Sequence, residues 1–328
     1  MGLIPKIVLT PVKWASKRII HHTLLRFPGG DPQSQIACVY CPEMCRFACP
    51  TAVASGSDAV TPSNKMSLLY KEAHWPGQAS QGAELWPIYD CTGCGRCTEY
   101  CVYEMPVAER LFHARAEKGW DWARSVAAEI NDADDPVGDL AEELGDGASA
   151  ERRLQGFLAR AVSAGAENAQ VPEPRMVAFL RRHGKSGELT WSGILRGGEG
   201  FLNLVEKLQG RTWLVHESPW LNRHLSQSEE VKAFGARLAQ AGVQMVFPFA
   251  SGNDCIDCGG EGAYHRLFSG QARQMALDFW ERDRHRAAGI LCFSSRCADH
   301  FRGVLGADFP VVDLPSFARS GLTQPNLD

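Results

Sequence analysis

The last third of the chain alternates between two patterns of hydrophobic and polar positions. Four short apolar runs have the length of buried strands: Thr212–His216, Val243–Phe247, Ile290–Phe293 and Val311–Leu314. Between them apolar residues recur at helical spacing; one helix is predicted to begin at a capping box from Ser226 to Glu229, and a long one to run from Tyr264 to Arg286. Strands separated by helices pair in parallel, so residues 211–328 are predicted to form a small α/β domain.

The first 35 residues follow the pattern of a basic amphipathic arm. Thr10-Pro11 is a helix start and Pro28-Gly29-Gly30 is a stop, and between them an apolar face opposes a face of lysine, arginine and histidine. Two interpretations stay open for residues 10–27. The helix docks on a membrane surface or a partner subunit, or it packs on its own domain with its basic face in water.

The middle of the chain divides into two further segments. Residues 36–118 are rich in turns and poor in large apolar residues, with a helix from Pro106 to Gly119, so that bound metal would supply much of the driving force for folding. Residues 119–210 contain an acidic linker and are predicted to form a connector with three helical stretches: Glu151–Ala164, Pro174–His183 and Phe201–Gln209.

Composition narrows the classes of function. The formal net charge is -4, and no basic run is interleaved with aromatic residues, which argues against a nucleic-acid partner. No apolar run is long enough to span a bilayer and no signal-peptide pattern is present, so we expect the protein in the cytoplasm or peripherally on the inner face of the cytoplasmic membrane. Thiols stay reduced there, and clustered cysteines are then first of all metal ligands.

Eight of the twelve cysteines have the spacing of iron–sulfur ligands. The run from Cys91 to Cys101 is C-x-x-C-x-x-C-x-x-x-C, as in bacterial ferredoxins, and the run from Cys38 to Cys49 has one extra residue before its third cysteine and a closing Cys-Pro. In two-cluster ferredoxins the fourth cysteine binds the other cluster. This rule predicts two [4Fe–4S] clusters, one on Cys38, Cys41, Cys45 and Cys101 and the other on Cys91, Cys94, Cys97 and Cys49.

Zinc is the main alternative for these eight cysteines, because tetrahedral zinc also uses C-x-x-C pairs. Zinc knuckles, however, need two pairs, whereas each run here is a triplet followed by a fourth cysteine. Disulfides and a nucleophilic cysteine fit the compartment and the sequence context less well. The spacing therefore favours iron–sulfur clusters.

The remaining four cysteines follow predicted strands: Cys255, Cys258, Cys292 and Cys297. The carboxyl ends of parallel strands meet at one edge of a sheet, so we expect these residues to converge, near His216 and with His265 and His300 in the vicinity. Three interpretations are open: a third iron–sulfur cluster, a zinc ion on the same four cysteines, or redox-active or simply buried thiols. The three histidines are expected to make hydrogen bonds and not to bind metal.

The two cysteine runs, together with Thr61-Pro62-Ser63-Asn64-Lys65 between them, resemble the ferredoxin half of iron–sulfur oxidoreductases related to heterodisulfide reductase and to the iron–sulfur subunits of glycolate oxidase and anaerobic glycerol-3-phosphate dehydrogenase. The likeness covers residues 36–118. It implies a mostly helical module with two clusters, joined to a redox partner, within a multi-domain α+β chain.

The same family carries domains named for a Cys-Cys-Gly motif, and Cys258-Gly259 with the later Cys292 and Cys297 is similar to one such domain. The chain departs from that pattern in three ways. Asp257 replaces the adjoining cysteine, the later pair is spaced by four residues instead of two, and the upstream cysteine is absent. The disulfide-reducing chemistry of the family is therefore not expected here.

These features predict an electron-transfer subunit of a multisubunit oxidoreductase. The chain has no Gly-x-Gly-x-x-Gly turn, so a flavoprotein or a membrane quinone or cytochrome subunit is expected as its partner. One alternative is an enzyme that acts on a disulfide, a 2-hydroxy acid derivative or a quinone at the C-terminal cysteines. Another is a structural adaptor with a C-terminal zinc.

Overall fold

A computed structural model describes most of the chain outside the N-terminal arm and the acidic linker. The described residues are 36–39, 41, 43–75, 86–112, 114–115, 169–171, 174–182, 187–189, 191–198, 200–261 and 264–322. The amphipathic arm, the acidic linker and the helix predicted at Glu151–Ala164 lie outside them.

Short helices and turns make up the described residues between 36 and 115. The helices are Ile36–Val39, Pro50–Ser55, Pro62–His74, Arg96–Tyr100 and one that begins at 107, with 3₁₀ turns at Met44–Ala48 and Asp58–Val60. Local sequence explains the longest of them, since the Thr61 side chain accepts a hydrogen bond from the backbone N–H of Asn64 and Pro62 occupies the first turn. No strand occurs in the described part of this segment.

The C-terminal part contains a four-stranded parallel sheet. Its strands are β3 (Thr212–His216), β4 (Gln244–Val246), β5 (Gly289–Cys292) and β6 (Val311–Asp313), in the order β4-β3-β5-β6. The chain is thus a mixed helix-and-sheet protein with a small parallel sheet, as the strand and helix patterns predict. Two further strands, β1 (Ala169–Val171) and β2 (Gly187–Leu189), form a separate parallel pair that the sequence analysis does not predict.

Helices cover both faces of the four-stranded sheet. Trp191, Phe234 and Phe293 belong to the hydrophobic core on one side, and Phe279 and Phe301 belong to the core on the other. The helices of this part are Pro174–Arg182, Ser192–Leu195, Phe201–Leu208, Ser228–Gln240, Tyr264–Leu267, Ser269–Asp283, Ser295–Leu305 and Leu314–Leu322, with a π-helical turn at Trp220–His224 and a 3₁₀ turn at Gly252–Asp254. A sheet buried on both faces leaves its carboxyl edge as the place for polar chemistry.

Two local predictions are wrong. The long helix is divided into Tyr264–Leu267 and Ser269–Asp283, because the backbone of Phe268 is not helical (φ -128°, ψ 56°). The capping box does not form: Ser226 has φ 58°, and the helix begins at Ser228 behind Gln227, whose side chain makes no capping hydrogen bond. In both places long-range packing overrides a local pattern.

The two cysteine-bearing parts pack against each other. Helix Pro50–Ser55 lies on helix Ser269–Asp283, and the rings of Trp86 and Phe268 are 6.2 Å apart. Phe112 and Trp220 form a second aromatic contact at 6.2 Å. Among the described residues, no helix has the length and apolar character needed to cross a membrane.

Candidate metal centres

The first candidate centre is a cavity of about 140 Å³, roughly ten times the space that one water molecule occupies. Five cysteines line it: Cys38, Cys41, Cys45, Cys97 and Cys101. Cys38 comes from helix Ile36–Val39, Cys45 from the 3₁₀ turn Met44–Ala48, and Cys101 follows helix Arg96–Tyr100. The cavity thus groups three cysteines of the first run with Cys101, the last cysteine of the second, and it also touches Cys97, which lines the second cavity as well.

The second candidate centre contains the three remaining cysteines of the two runs together with Cys97. Cys49, Cys91, Cys94 and Cys97 line a narrower cavity of about 20 Å³, so a cluster can bind here only if the thiols move apart. Cys49 reaches it because Pro50 starts a helix that turns the chain away from the first cavity. Gly93 has φ 75° and its N–H donates to Sγ of Cys91 at 3.4 Å, which a residue with a side chain would not easily allow.

Crowding of the thiols shapes the acid–base chemistry of the first centre. Burial, followed by the charges of Cys101, Cys45 and Cys41, raises the pKa of Cys38 to about 12. Burial likewise raises the pKa of Cys45 to about 11. Thiolates are the form that binds metal, and a cationic metal core supplies the positive charge that holds several thiolates together. The donor set therefore fits an iron–sulfur cluster.

The second centre has a buried cation beside it. Lys65 is 1% exposed, and its Nζ donates to Oγ1 of Thr51 at 3.2 Å and to the carbonyl oxygen of Asp90. Thr51 Oγ1 in turn lies 3.2 Å from Sγ of Cys49. Burial opposes the charge on Lys65, but Cys49, Cys91 and Asp90 outweigh it and raise the pKa of the amine. A buried ammonium needs nearby negative charge, which four thiolates around a metal core provide.

Arg115 adds a second buried cation in this neighbourhood. The side chain is fully buried and donates to the backbone carbonyls of Ile88, Tyr89 and Cys91, which fixes the loop that leads into the second cysteine run. Asp90, between these carbonyls, accepts a hydrogen bond of 2.8 Å from the hydroxyl of Tyr264. Burial raises the pKa of Asp90, although the positive charge of Lys65 acts in the opposite direction.

A third candidate centre lies at the carboxyl edge of the four-stranded sheet. His216 ends β3, Cys258 lies in the loop after β4, and Cys297 is in the first turn of helix Ser295–Leu305. One ring nitrogen of His216 and the two sulfur atoms all lie within 4.8 Å of one another. Burial opposes ionisation of Cys258, yet contact with Cys297 and the charge of His216 prevail and hold its pKa well below the usual range.

The four C-terminal cysteines do not form one set. Cys255 is buried, but its Sγ contacts Nη1 of Arg223 at 3.6 Å and lies outside the group of His216, Cys258 and Cys297. Cys292 is fully buried and is paired in register with His216 on the neighbouring strand, also outside that group. The group within 4.8 Å therefore contains His216 and two of the four expected cysteines.

A π-helical turn joins the second and third centres. Arg223 donates through Nε to the carbonyl oxygen of Cys94, and through Nη1 to the carbonyl oxygens of Asn253 at 2.7 Å and Cys255 at 2.9 Å. A ring nitrogen of His224 lies 2.9 Å from the carbonyl oxygen of Gly93. The loop that carries the second cysteine run is thereby attached to the C-terminal part of the chain.

Sequence reasoning assigns no site role to Lys65, Arg223 or Glu261, and treats His216 as a hydrogen-bonding residue. One signal for His216 was present, since it ends a predicted strand on the edge where Cys292 ends another. Comparisons of this chain with protein-family models, with curated proteins and with solved structures find no match.

Proposed function

We propose that the chain is an electron-transfer subunit that holds two [4Fe–4S] clusters. The observation that carries the proposal is the exchange of cysteines: Cys101 of the second run lines the cavity of the first, and Cys49 of the first lines the cavity of the second. This exchange is the ligand pattern of two-cluster ferredoxins. Bound clusters would supply one-electron redox chemistry, and the protein would hold them next to each other and away from water.

The two cavities are neighbours, which favours electron transfer over a purely structural role. Cys97 and Val107 line both of them, so a single layer of side chains separates the centres. Two structural zinc ions would have no need of such proximity. A relay does need it, because electrons must pass from one centre to the other.

The first centre is the proposed point of electron entry. Its cysteines Cys38, Cys41, Cys45 and Cys101 are only partly buried, whereas three of the four at the second centre are buried. Met44, which lines this cavity, is 56% exposed, and Phe47 in the same 3₁₀ turn is 76% exposed. A redox partner that covers this rim would bring its own cofactor close to the cluster. The proposed partner is a flavoprotein or a membrane quinone or cytochrome subunit.

Anaerobic purification tests the proposal. Iron and sulfide analysis should give about eight of each per chain, and reduction should produce the magnetic resonance signal of two interacting [4Fe–4S] clusters. Cys49→Ser should alter the cluster bound by Cys91, Cys94 and Cys97. Cys101→Ser should alter the cluster bound by Cys38, Cys41 and Cys45. A folded chain that contains zinc and no iron at these cysteines would refute the proposal.

The enzyme alternative is less well supported. The third centre would be its catalytic site, but His216, Cys258 and Cys297 expose no surface at all. A substrate would have to reach three side chains that are enclosed by the two cores of the sheet. The proposed function therefore assigns the redox chemistry to the two clusters alone.

A further inference from the structure

His216 is buried between two aromatic rings, and its polar contact is the thiol of Cys258. The side chain is fully buried, and neither ring nitrogen has a nitrogen or oxygen partner among the described residues. Phe279 and Phe301 pack on the imidazole at ring distances of 4.8 and 5.1 Å, both edge-to-face. A thiol is only a weak hydrogen-bond partner for a buried imidazole. The polar groups that face the ring are the thiols of Cys258 and Cys297.

The spacing of these three ligand atoms suits a single metal ion. Zinc binds thiolate sulfur at about 2.3 Å and imidazole nitrogen at about 2.0–2.1 Å, so two sulfurs on one ion are at most about 4.6 Å apart. The three atoms here lie within 4.8 Å of one another before any adjustment. In a cubane each thiolate binds a different iron, which holds the sulfurs farther apart. Two thiolates and an imidazole are also a donor set typical of zinc.

Glu261 is an acidic residue in contact with this triplet. Its Oε1 lies 3.6 Å from Sγ of Cys297 and accepts a hydrogen bond of 2.7 Å from the hydroxyl of Ser218. Glu261 is 2% exposed and Ser218 is fully buried, so the carboxylate is oriented by a second residue inside the protein. Metal-binding side chains are commonly held by such outer contacts.

We propose that His216, Cys258 and Cys297 bind one zinc ion and that Glu261 occupies the fourth position. Zinc has no redox chemistry, so this centre would stabilise the edge of the sheet and would not be a third electron-transfer centre. It would tie the end of β3 to the loop after β4 and to the helix after β5, the three segments that meet at that edge. The assignment is independent of the two clusters.

X-ray absorption at the zinc edge of the purified wild-type protein tests the ligand set without any substitution. The expected result is about one zinc per chain, bound by two sulfur and two nitrogen or oxygen atoms. Four sulfur neighbours would overturn the proposal. So would a protein that contains no zinc and about twelve irons, the content of three cubanes.

Variants give a second, independent test. His216→Ala and Cys297→Ser should lose zinc and keep the iron of the two clusters, which separates this site from the proposed electron-transfer function. Cys255→Ser is the matched control, because Cys255 is as buried as the ligands and only three residues from Cys258. It should retain zinc, and its loss of zinc would favour a four-cysteine site and overturn the proposal.

The contact between Ser218 and Glu261 can be tested by affinity. Ser218→Ala should weaken zinc binding about 10- to 100-fold in competition with a chelator, the usual effect of removing an outer contact. If the wild type and Ser218→Ala bind zinc equally tightly, Glu261 is not a ligand and the fourth position is assigned wrongly.

Discussion

Replacing Lys65 by methionine should make the second cluster harder to reduce. Lys65 is fully buried beside Cys49, Cys91, Cys94 and Cys97, and its ammonium favours whichever state of the site carries more negative charge. Reduction adds one electron to the cluster. Removing the positive charge therefore destabilises the reduced state and moves the reduction potential to a more negative value.

The structure bounds the size of this effect. Thr51 Oγ1 is 3.2 Å from Nζ of Lys65 and 3.2 Å from Sγ of Cys49, so the ammonium is no more than about 6.4 Å from that sulfur. At an effective dielectric constant of about 20, a unit charge at this distance contributes about 2–3 kcal/mol. For a one-electron couple this energy corresponds to about 100 mV, since each tenfold change in the equilibrium constant is about 59 mV.

A potentiometric titration followed by magnetic resonance would measure the shift. Lys71→Met is the matched control, because Lys71 is on the same helix but exposed to water. Lys65→Arg keeps the charge and should keep most of the wild-type potential even if packing changes. Equal potentials in Lys65→Met and Lys71→Met, with both clusters present, would show that Lys65 does not interact electrostatically with a cluster and would refute the reasoning.

Three further predictions have defined outcomes. Arg223→Met removes the hydrogen-bond donors that join the two cysteine-bearing parts. The free energy of unfolding, measured by urea denaturation, should fall by at least about 2 kcal/mol. An unchanged free energy of unfolding would contradict the bridging role. Tyr264→Phe leaves the buried Asp90 carboxyl without its 2.8 Å hydrogen bond and should cost about 1–3 kcal/mol in the same assay. Gly93 has φ 75°, and the Cβ that Gly93→Ala adds would lie 2.3 Å from an aromatic carbon, so this variant should be less stable and contain less iron. The control is Gly303→Ala, at an open helical position, which should stabilise the protein by about 0.5–1 kcal/mol. Equal effects of the two substitutions would exclude steric strain at position 93.

The elements of the sheet could be predicted from local patterns, but their order could not. The apolar run Thr212–His216 is a strand with the same bounds in the structure. The other three predicted runs differ from the observed strands by one residue at one or both ends. The order β4-β3-β5-β6 depends on which strands find each other across long stretches of chain. The separate β1–β2 pair is not predicted because its strands, Ala-Gln-Val and Gly-Glu-Leu, each have a polar residue at the centre and form no apolar run.

Around the candidate centres, too, local spacing predicts some residues and misses those whose contacts are distant in sequence. Cysteine spacing predicts which four thiols belong together, because the motif is local except for its last member. Lys65, Arg223 and His216 act through partners far away in sequence: Arg223 reaches the carbonyl of Cys94, 129 residues earlier. An isolated lysine or arginine in a sequence is most often on the surface, so nothing local distinguishes a buried one.

The exchange of Cys49 and Cys101 has a consequence for how the protein must be made. The final cysteine of each run lines the cavity of the other run, so under the proposed ligation neither run is a module that can be excised or grafted elsewhere. Removing either segment leaves an incomplete ligand set in the surviving one. Iron loading during biogenesis should accordingly be an all-or-none event that awaits synthesis of the chain beyond residue 101.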